Sequence, residues 1–400
     1  MTKVRVLGIF PPWTGWDRLV VDGMTKWAAQ DGNMDVLIWN HWHSWGPGAR
    51  GLPRSAACDL KRYNVRGIIT NAWDDKEVKR FRRLSTPVVD VGGTWPHAQI
   101  VSVHSDDLAV GRLAARHLLE KGIKSFGMWS DRVPLAALHR QKGFVDELAA
   151  NGYSCSVIDW PGDEMPWSRA EQRMIAQWIG SISKPAGIFC WWDGCAVPLE
   201  YCCREIGLAV PDDIAIIGVS DDDVLRQRCP VGLSSIDTCP QNIGYKAMEV
   251  IRRMIRTGKR PAEPLVLPPG NVIARASTDI LALDNAQLAE AIRFMQNFSH
   301  KPITVRDVLQ AVPISRRNLE VQCRKMLGRT PLQQIQRSHV ERAKVLMADY
   351  DLSLSDVATM SGFTSHNALS ILFKRYVGCT PGQYRRRLLP PTRTTRTESA

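Results

Sequence analysis

Apolar positions fall into short blocks over the first two thirds of the chain and into helical stripes over the last third. Val4–Phe10, Val36–Trp39, Gly67–Thr70, Val88–Val91, Phe126–Trp129, Ser156–Trp160, Gly187–Trp191 and Ile214–Val219 are runs of strand length. Amphipathic stretches such as Leu108–Glu120 and Gln141–Ala150 separate them. Continuous apolar runs suit strands covered on both faces, so the alternation predicts βαβ units with parallel sheets between helices. The rhythm restarts after residue 104, at His104-Ser-Asp-Asp-Leu-Ala-Val-Gly-Arg, which predicts two lobes with a cleft between them. Pro261, Pro264, Pro268, Pro269 and Gly270 predict an edge strand returning to the first lobe.

From Thr304 to Tyr384 one pattern is written twice, fifty residues apart: Ser315 and Ser365, Leu319 and Leu369, Arg324 and Lys374, Gly328 and Gly378, Thr330 and Thr380, Pro331 and Pro381. Thr304-Val-Arg-Asp307 and Ser353-Leu-Ser-Asp356 are capping-box openings, each predicting a short first helix. Val308, Leu309 and Val312, and Val357, Ala358 and Met360 in the second copy, are expected to face inward. Turns follow at Val312-Pro313-Ile314 and Ser361-Gly362-Phe363. Ser315 and Ser365 then cap second helices whose inward faces are Leu319 and Cys323, and Leu369 and Phe373. Their other faces offer Arg316, Arg317, Glu320 and Arg324, or His366, Asn367, Ser370 and Lys374, a polar and mostly basic set suited to reading a DNA groove.

Between the copies, Thr330-Pro331 opens a connecting helix carried by Leu332, Ile335, His339, Ala343 and Leu346 to about Ala348. Its length of roughly 27 Å approaches the ~34 Å between successive major-groove faces of B-DNA, so two readers on one rod can serve adjacent turns. Residues 285–388, with Gly362-Phe363, Phe373-Lys374, Gly378, Thr380-Pro381 and Tyr384-Arg385 in this order, resemble the AraC-type DNA-binding domain. That resemblance implies a tandem helix-turn-helix fold and a transcription regulator. The family often has arginine where Val321 and Ile371 stand, and an aromatic residue where Cys323 and Leu369 stand.

Charge supports the same partner. The chain carries a formal +12, and residues 281–400 hold 18 Lys+Arg against 9 Asp+Glu, so most of the excess lies in the smaller part. Phosphate neutralisation requires such a distribution. Four hundred residues exceed one core, so two or three domains are expected. No run of about 18 apolar residues occurs and the start lacks a signal pattern, which predicts a cytoplasmic protein away from membranes. The ten cysteines contain no C-x-x-C pair and read as small buried hydrophobes.

His104–Gly122, Arg140-Gln-Lys-Gly143-Phe144 and Gly207-Leu-Ala-Val-Pro211-Asp-Asp-Ile-Ala-Ile-Ile-Gly218-Val resemble the periplasmic-binding-protein-like effector domains of the LacI/GalR type, over residues 1–280. The resemblance implies a small polar ligand, such as a monosaccharide, between the lobes. A sensor of this kind ahead of an AraC-type tail is similar to the xylose-responsive regulators of bacteria, which implies D-xylose as effector, a homodimer, activation and contact with RNA polymerase. All fourteen tryptophans lie between Trp13 and Trp192, and indole stacks on the C–H faces of sugars. Residues at or just beyond strand ends are the candidates for the effector site: Trp13, Asp17, Arg18, Trp73, Arg140, Trp192, Asp193 and Asp221. The family commonly has an aspartate directly after the Gly218-Val219 strand. Here Ser220 stands there, followed by Asp221, Asp222 and Asp223, so a neighbour takes over that role or the ligand differs.

Hydrolase, phosphate-loop and zinc-protease signatures are not written in the chain: G-x-S-x-G, G-x-x-x-x-G-K-[ST] and H-E-x-x-H are absent. No cofactor or metal is expected, and His41-Trp-His43 reads as loop surface. A polar linker is expected from Ser277 to Gln287 and a disordered tail over 389–400. The rival reading is a sugar-binding protein or carbohydrate-active enzyme with a basic helical appendage.

Overall fold

The computed structural model describes residues 3–10, 14–39, 60, 62–72, 78–79, 81–93, 100–132, 134–160, 168–280, 286–347 and 352–388. Trp13, His41, His43, Trp73, part of the linker and the tail lie outside these residues.

The first lobe holds strands β1 (Val4–Ile9), β2 (Met34–Trp39), β3 (Val65–Thr70), β4 (Val88–Asp90), β5 (Val101–Ser105) and β11 (Leu265–Leu267), in the sheet order β11-β5-β4-β3-β1-β2. The second holds β6 (Ser125–Asp131), β7 (Cys155–Trp160), β8 (Ala186–Cys190), β9 (Ile214–Val219), β10 (Ser234–Ile236) and β12 (Val272–Ile273), in the order β12-β10-β9-β8-β6-β7. All described pairings are parallel except β10 with β12. The apolar runs are strands because both faces are covered: every residue of β8 and β9 is buried. β11 is the edge strand expected from the proline cluster. β5, β10 and β12 were not expected, being short or alternating segments without a continuous apolar run.

The sensor helices are α1 (Gly15–Asp31), α2 (Asp107–Glu120), α3 (Leu135–Ala150), α4 (Arg169–Ser181), α5 (Asp193–Glu205), α6 (Asp223–Gln227) and α7 (Pro240–Thr257). α2 and α3 touch backbone to backbone: a Cβ on Gly111 would sit 2.0 Å from the Arg140 carbonyl oxygen, and one on Gly143 would sit 2.1 Å from that of Leu108. That approach brings Arg140 to Asp107, and so fixes one wall of the cleft. The chain passes between the lobes three times, after β5, after β10 and between β11 and β12.

Ser277 and Thr278 are fully buried in the second lobe, where the Ser277 hydroxyl donates to the Ile216 carbonyl and accepts from the Ser234 N–H. The expected linker therefore starts too early, because its first residue, Ser277, joins β9 to β10.

The C-terminal part is all helical: α8 (Ala286–Asn297), α9 (Val305–Ala311), α10 (Arg316–Leu327), α11 (Pro331–Leu346), α12 (Leu354–Met360), α13 (His366–Val377) and α14 (Pro381–Leu388). Capping boxes are present at Thr304/Asp307 and Ser353/Asp356, and Ser315 and Ser365 cap α10 and α13. Gly362 adopts φ +73°, as its turn requires. One core joins Leu288, Val308, Leu319, Cys323 and Ile335, and another joins Val340, Ala343, Val357, Leu369 and Phe373. The connecting helix α11 thus contributes to both, holding the two units on one rod of roughly 24 Å. Met360 and Leu332 depart from expectation and are 41% and 52% exposed. Each lies at a helix end, beyond the reach of the core that its neighbours build.

Candidate functional site

A cavity of about 100 Å³ opens between the lobes. By the measure in which one water needs about 10–15 Å³, it holds on the order of eight such groups, the scale of a monosaccharide. The first lobe contributes Thr14, Trp16, Asn71 and Gly92, and the second contributes Pro134, Ala136, Arg140, Trp191, Trp192, Ser220 and Asp222. Most follow the carboxyl ends of β1, β3, β4, β6, β8 and β9, where open α/β sheets bind ligands.

Arg140 and Trp192, both expected in the cleft, line it. Arg140 is 9% exposed; its Nε donates to Asp107 Oδ1 at 2.7 Å and an Nη donates to the Trp191 carbonyl at 2.7 Å. Asp17 and Asp193 lie one layer deeper, each fully buried. Asp17 Oδ2 accepts from the N–H and hydroxyl of Thr14, and Oδ1 accepts from Asn71 Nδ2. Asp193 Oδ2 accepts from the Asp222 N–H and Oδ1 accepts from the Ser235 hydroxyl. Both carboxylates hold the residues that line the cavity and do not line it themselves. Burial pushes Asp17 up to about 6 and Asp193 up to about 7, against the hydrogen bonds that favour their charged forms.

Arg18 is also outside the cavity, paired with Asp223 at 2.8 Å on the rim. Asp221 turns away from it to Arg275 at 2.7 Å, and Asp222 takes the cleft position. Positive φ values at Ser220 (106°) and Asp221 (49°) produce that exchange. Trp16, Thr14, Asn71 and Trp191 were missed by sequence reasoning. Thr14 had a usable signal, the Thr14-x-x-Asp17 capping box at the mouth of α1.

The cavity therefore offers three indole rings, the Arg140 guanidinium and the polar groups of Thr14, Asn71, Ser220 and Asp222. Trp16 is oriented by its Nε1–H, which donates to Thr238 at 2.9 Å. The set can stack on an apolar ring face and exchange hydrogen bonds with hydroxyls.

On the helical part, Arg316, Arg317, Arg324, His366, Asn367 and Lys374 are exposed, and Glu320 and Ser370 are half-buried. Arg316 pairs with Glu320 at 3.1 Å along α10. Among the described residues, Arg337 of α11 pairs with Glu120 at the end of α2, the Tyr384 hydroxyl of α14 donates to Asn271 Oδ1, and Asn271 Nδ2 donates to the Lys344 carbonyl of α11 at 3.5 Å, joining this part to the sensor. Asn271 lies in the third passage between the lobes.

Residues 115–278 match the periplasmic binding protein-like domain and residues 308–387 match a helix-turn-helix domain. The chain is 27% identical over 392 residues to the xylose operon regulatory protein of Escherichia coli strain K12, covering 95% of this chain and 96% of that protein. The protein of that name from Haemophilus influenzae is 25% identical over 334 residues, 82% of this chain and 86% of that one. Among solved structures, that of a xylose-binding transcription activator superposes with a TM-score of 0.60 at 25% identity, covering 96% of this chain and 99% of the other. These relatives are transcription regulators, not enzymes. The fold is a two-lobed periplasmic-binding-protein-like sensor followed by an AraC-type helix-turn-helix domain. Among the described residues no helix is long and apolar enough to cross a membrane.

Proposed function

We propose that this AraC-type transcription regulator is controlled by a monosaccharide, D-xylose first among the candidates, held between the sensor lobes. The observation that carries the reading is the monosaccharide-sized cavity lined by Trp16, Trp191, Trp192 and the buried Arg140. Ring stacking falls to the indoles and hydroxyl recognition to Arg140, Asn71, Ser220 and Asp222. The names of the relatives make D-xylose the first sugar to try.

The operator is double-stranded DNA, read by α10 and α13 through Arg316, Arg317, Glu320 and Arg324, and through His366, Asn367, Ser370 and Lys374. The protein acts in the cytoplasm as a homodimer and as an activator that contacts RNA polymerase. Ligand binding shifts the lobes to the extent that it favours one arrangement over the other. The passage at Asn271, bonded to Tyr384, carries that shift to the DNA-binding part.

Tryptophan fluorescence titrated with a panel of monosaccharides tests the effector claim, because no tryptophan lies beyond residue 192. A saturable change with D-xylose and none with the other sugars is expected. Silence across the panel, with an unchanged melting temperature, would remove sugar sensing from the account.

A further inference from the structure

Val321 and Ile371 stand fifty residues apart, at the same position of α10 and α13. Leu319 and Cys323 turn one side of α10 into its core, and Leu369 and Phe373 do the same in α13. At 3.6 residues per turn, Val321 and Ile371 sit at the middle of the opposite side. They are 52% and 55% exposed, and Ile371 is the most exposed large hydrophobic among the described residues. Exposed polar residues flank them: Arg317, Arg324 and Lys325 in one unit, Asn367, Lys374 and Arg375 in the other.

An apolar side chain centred in a cationic face suits one class of surface. Docking on a protein core would strip water from the flanking cations without pairing them. A DNA groove pairs them with phosphates while its floor meets the central residue. A branched aliphatic chain has no donor or acceptor for the edges of guanine, adenine or cytosine; what the major groove offers it is the 5-methyl group of thymine.

We propose that Val321 and Ile371 each read a thymine by packing against its 5-methyl group, one in each of two successive major-groove turns. The proposal rests on the DNA-binding reading above. It sets the base preferred at the centre of each half-site, beside the contacts that the flanking polar residues make.

Duplexes selected from a random pool by the full-length protein test it. A thymine is expected at a fixed position in each of two half-sites, about ten base pairs apart. Replacing either thymine by deoxyuridine, which lacks only the methyl, is expected to weaken binding about fourfold, from roughly 0.8 kcal/mol for a buried methyl-sized group. Val321→Ser abolishes that penalty in its own half-site and leaves the other intact; Ile371→Ser does the reverse. Val321→Arg moves the preference at its position from thymine towards guanine. Unchanged far-ultraviolet circular dichroism checks that these exposed substitutions preserve the helices. A selected consensus with no uridine penalty at any thymine, or penalties that survive both serine variants, overturns the proposal. Failure to select any consensus is a different result, which removes sequence-specific DNA reading itself and the proposal with it.

Discussion

Gly15 donates its backbone N–H to Oδ2 of Asp222 at 2.8 Å, from one lobe to the other across the mouth of the cleft. A Cβ at position 15 would stand 2.7 Å from that oxygen, so any larger residue there pushes the Asp222 carboxylate aside. The second oxygen of Asp222 caps α6 by accepting from the Val224 and Leu225 N–H groups. Asp222 therefore ties the second lobe's loop to the first lobe's α1, and the neighbouring Arg18–Asp223 pair, being exposed, adds little.

Gly15→Ala is expected to cost about 1–3 kcal/mol, through overpacking, in the arrangement that brings Asp222 against α1. Effector affinity should fall roughly 5- to 100-fold while the melting temperature without ligand barely changes. Calorimetric titration checks this; unchanged affinity would show that the contact plays no part in closure.

Stability should depend on pH through Asp193. Its folded-state value is raised from 3.8 to about 7 by burial, so its neutral form favours folding. That contribution is complete below about pH 4 and is lost as pH rises through about 7, with an upper bound of about 4 kcal/mol. Asp17, raised to about 6, acts in the same direction. Asp193→Asn keeps a carbonyl acceptor but does not titrate. Melting curves should therefore show the wild type losing stability relative to this variant between about pH 4 and 7. A difference independent of pH would contradict the assignment.

Arg140→Ala leaves the buried carboxylate of Asp107 without its partner at 2.7 Å, which is expected to cost about 3–5 kcal/mol. The double variant Arg140→Met with Asp107→Leu should regain most of that stability in urea unfolding. The fluorescence response to the effector should not return. Recovery of both would assign Arg140 a packing role alone.

Much of the DNA-binding part was legible because its signals are local. Ser315 and Ser365 precede helices whose apolar positions follow at once, and Gly362 marks a turn that needs positive φ. The parallel sheets were legible for the same reason, since a strand buried on both faces is a continuous apolar run. The site was legible only in part. Proximity to a strand end tells that a residue is near the cleft, not how deep it lies, so Asp17 and Asp193 were expected to touch ligand when they hold Thr14, Asn71, Asp222 and Ser235 in place. The exchange of Asp221 for Asp222 follows from backbone twist at Ser220 and Asp221, which residue type does not encode there.

Tyr384→Phe removes one hydroxyl, the donor to Asn271. Operator affinity without effector and effector affinity without DNA should each stay within about twofold. The factor by which effector changes operator affinity should shrink towards one, from a coupling typically worth about 1–3 kcal/mol. A full-sized effector response in this variant would place the transmission elsewhere, with Arg337 and Glu120 the next pair to test.

The most direct test of ligand-controlled DNA binding is the affinity of the full-length protein for its selected operator, measured by fluorescence anisotropy at several salt concentrations with and without saturating D-xylose. The account predicts affinity that falls steeply as salt rises, through release of counterions from phosphates, and a several-fold change on adding the sugar. Weak, salt-insensitive binding that the sugar leaves unchanged would contradict it.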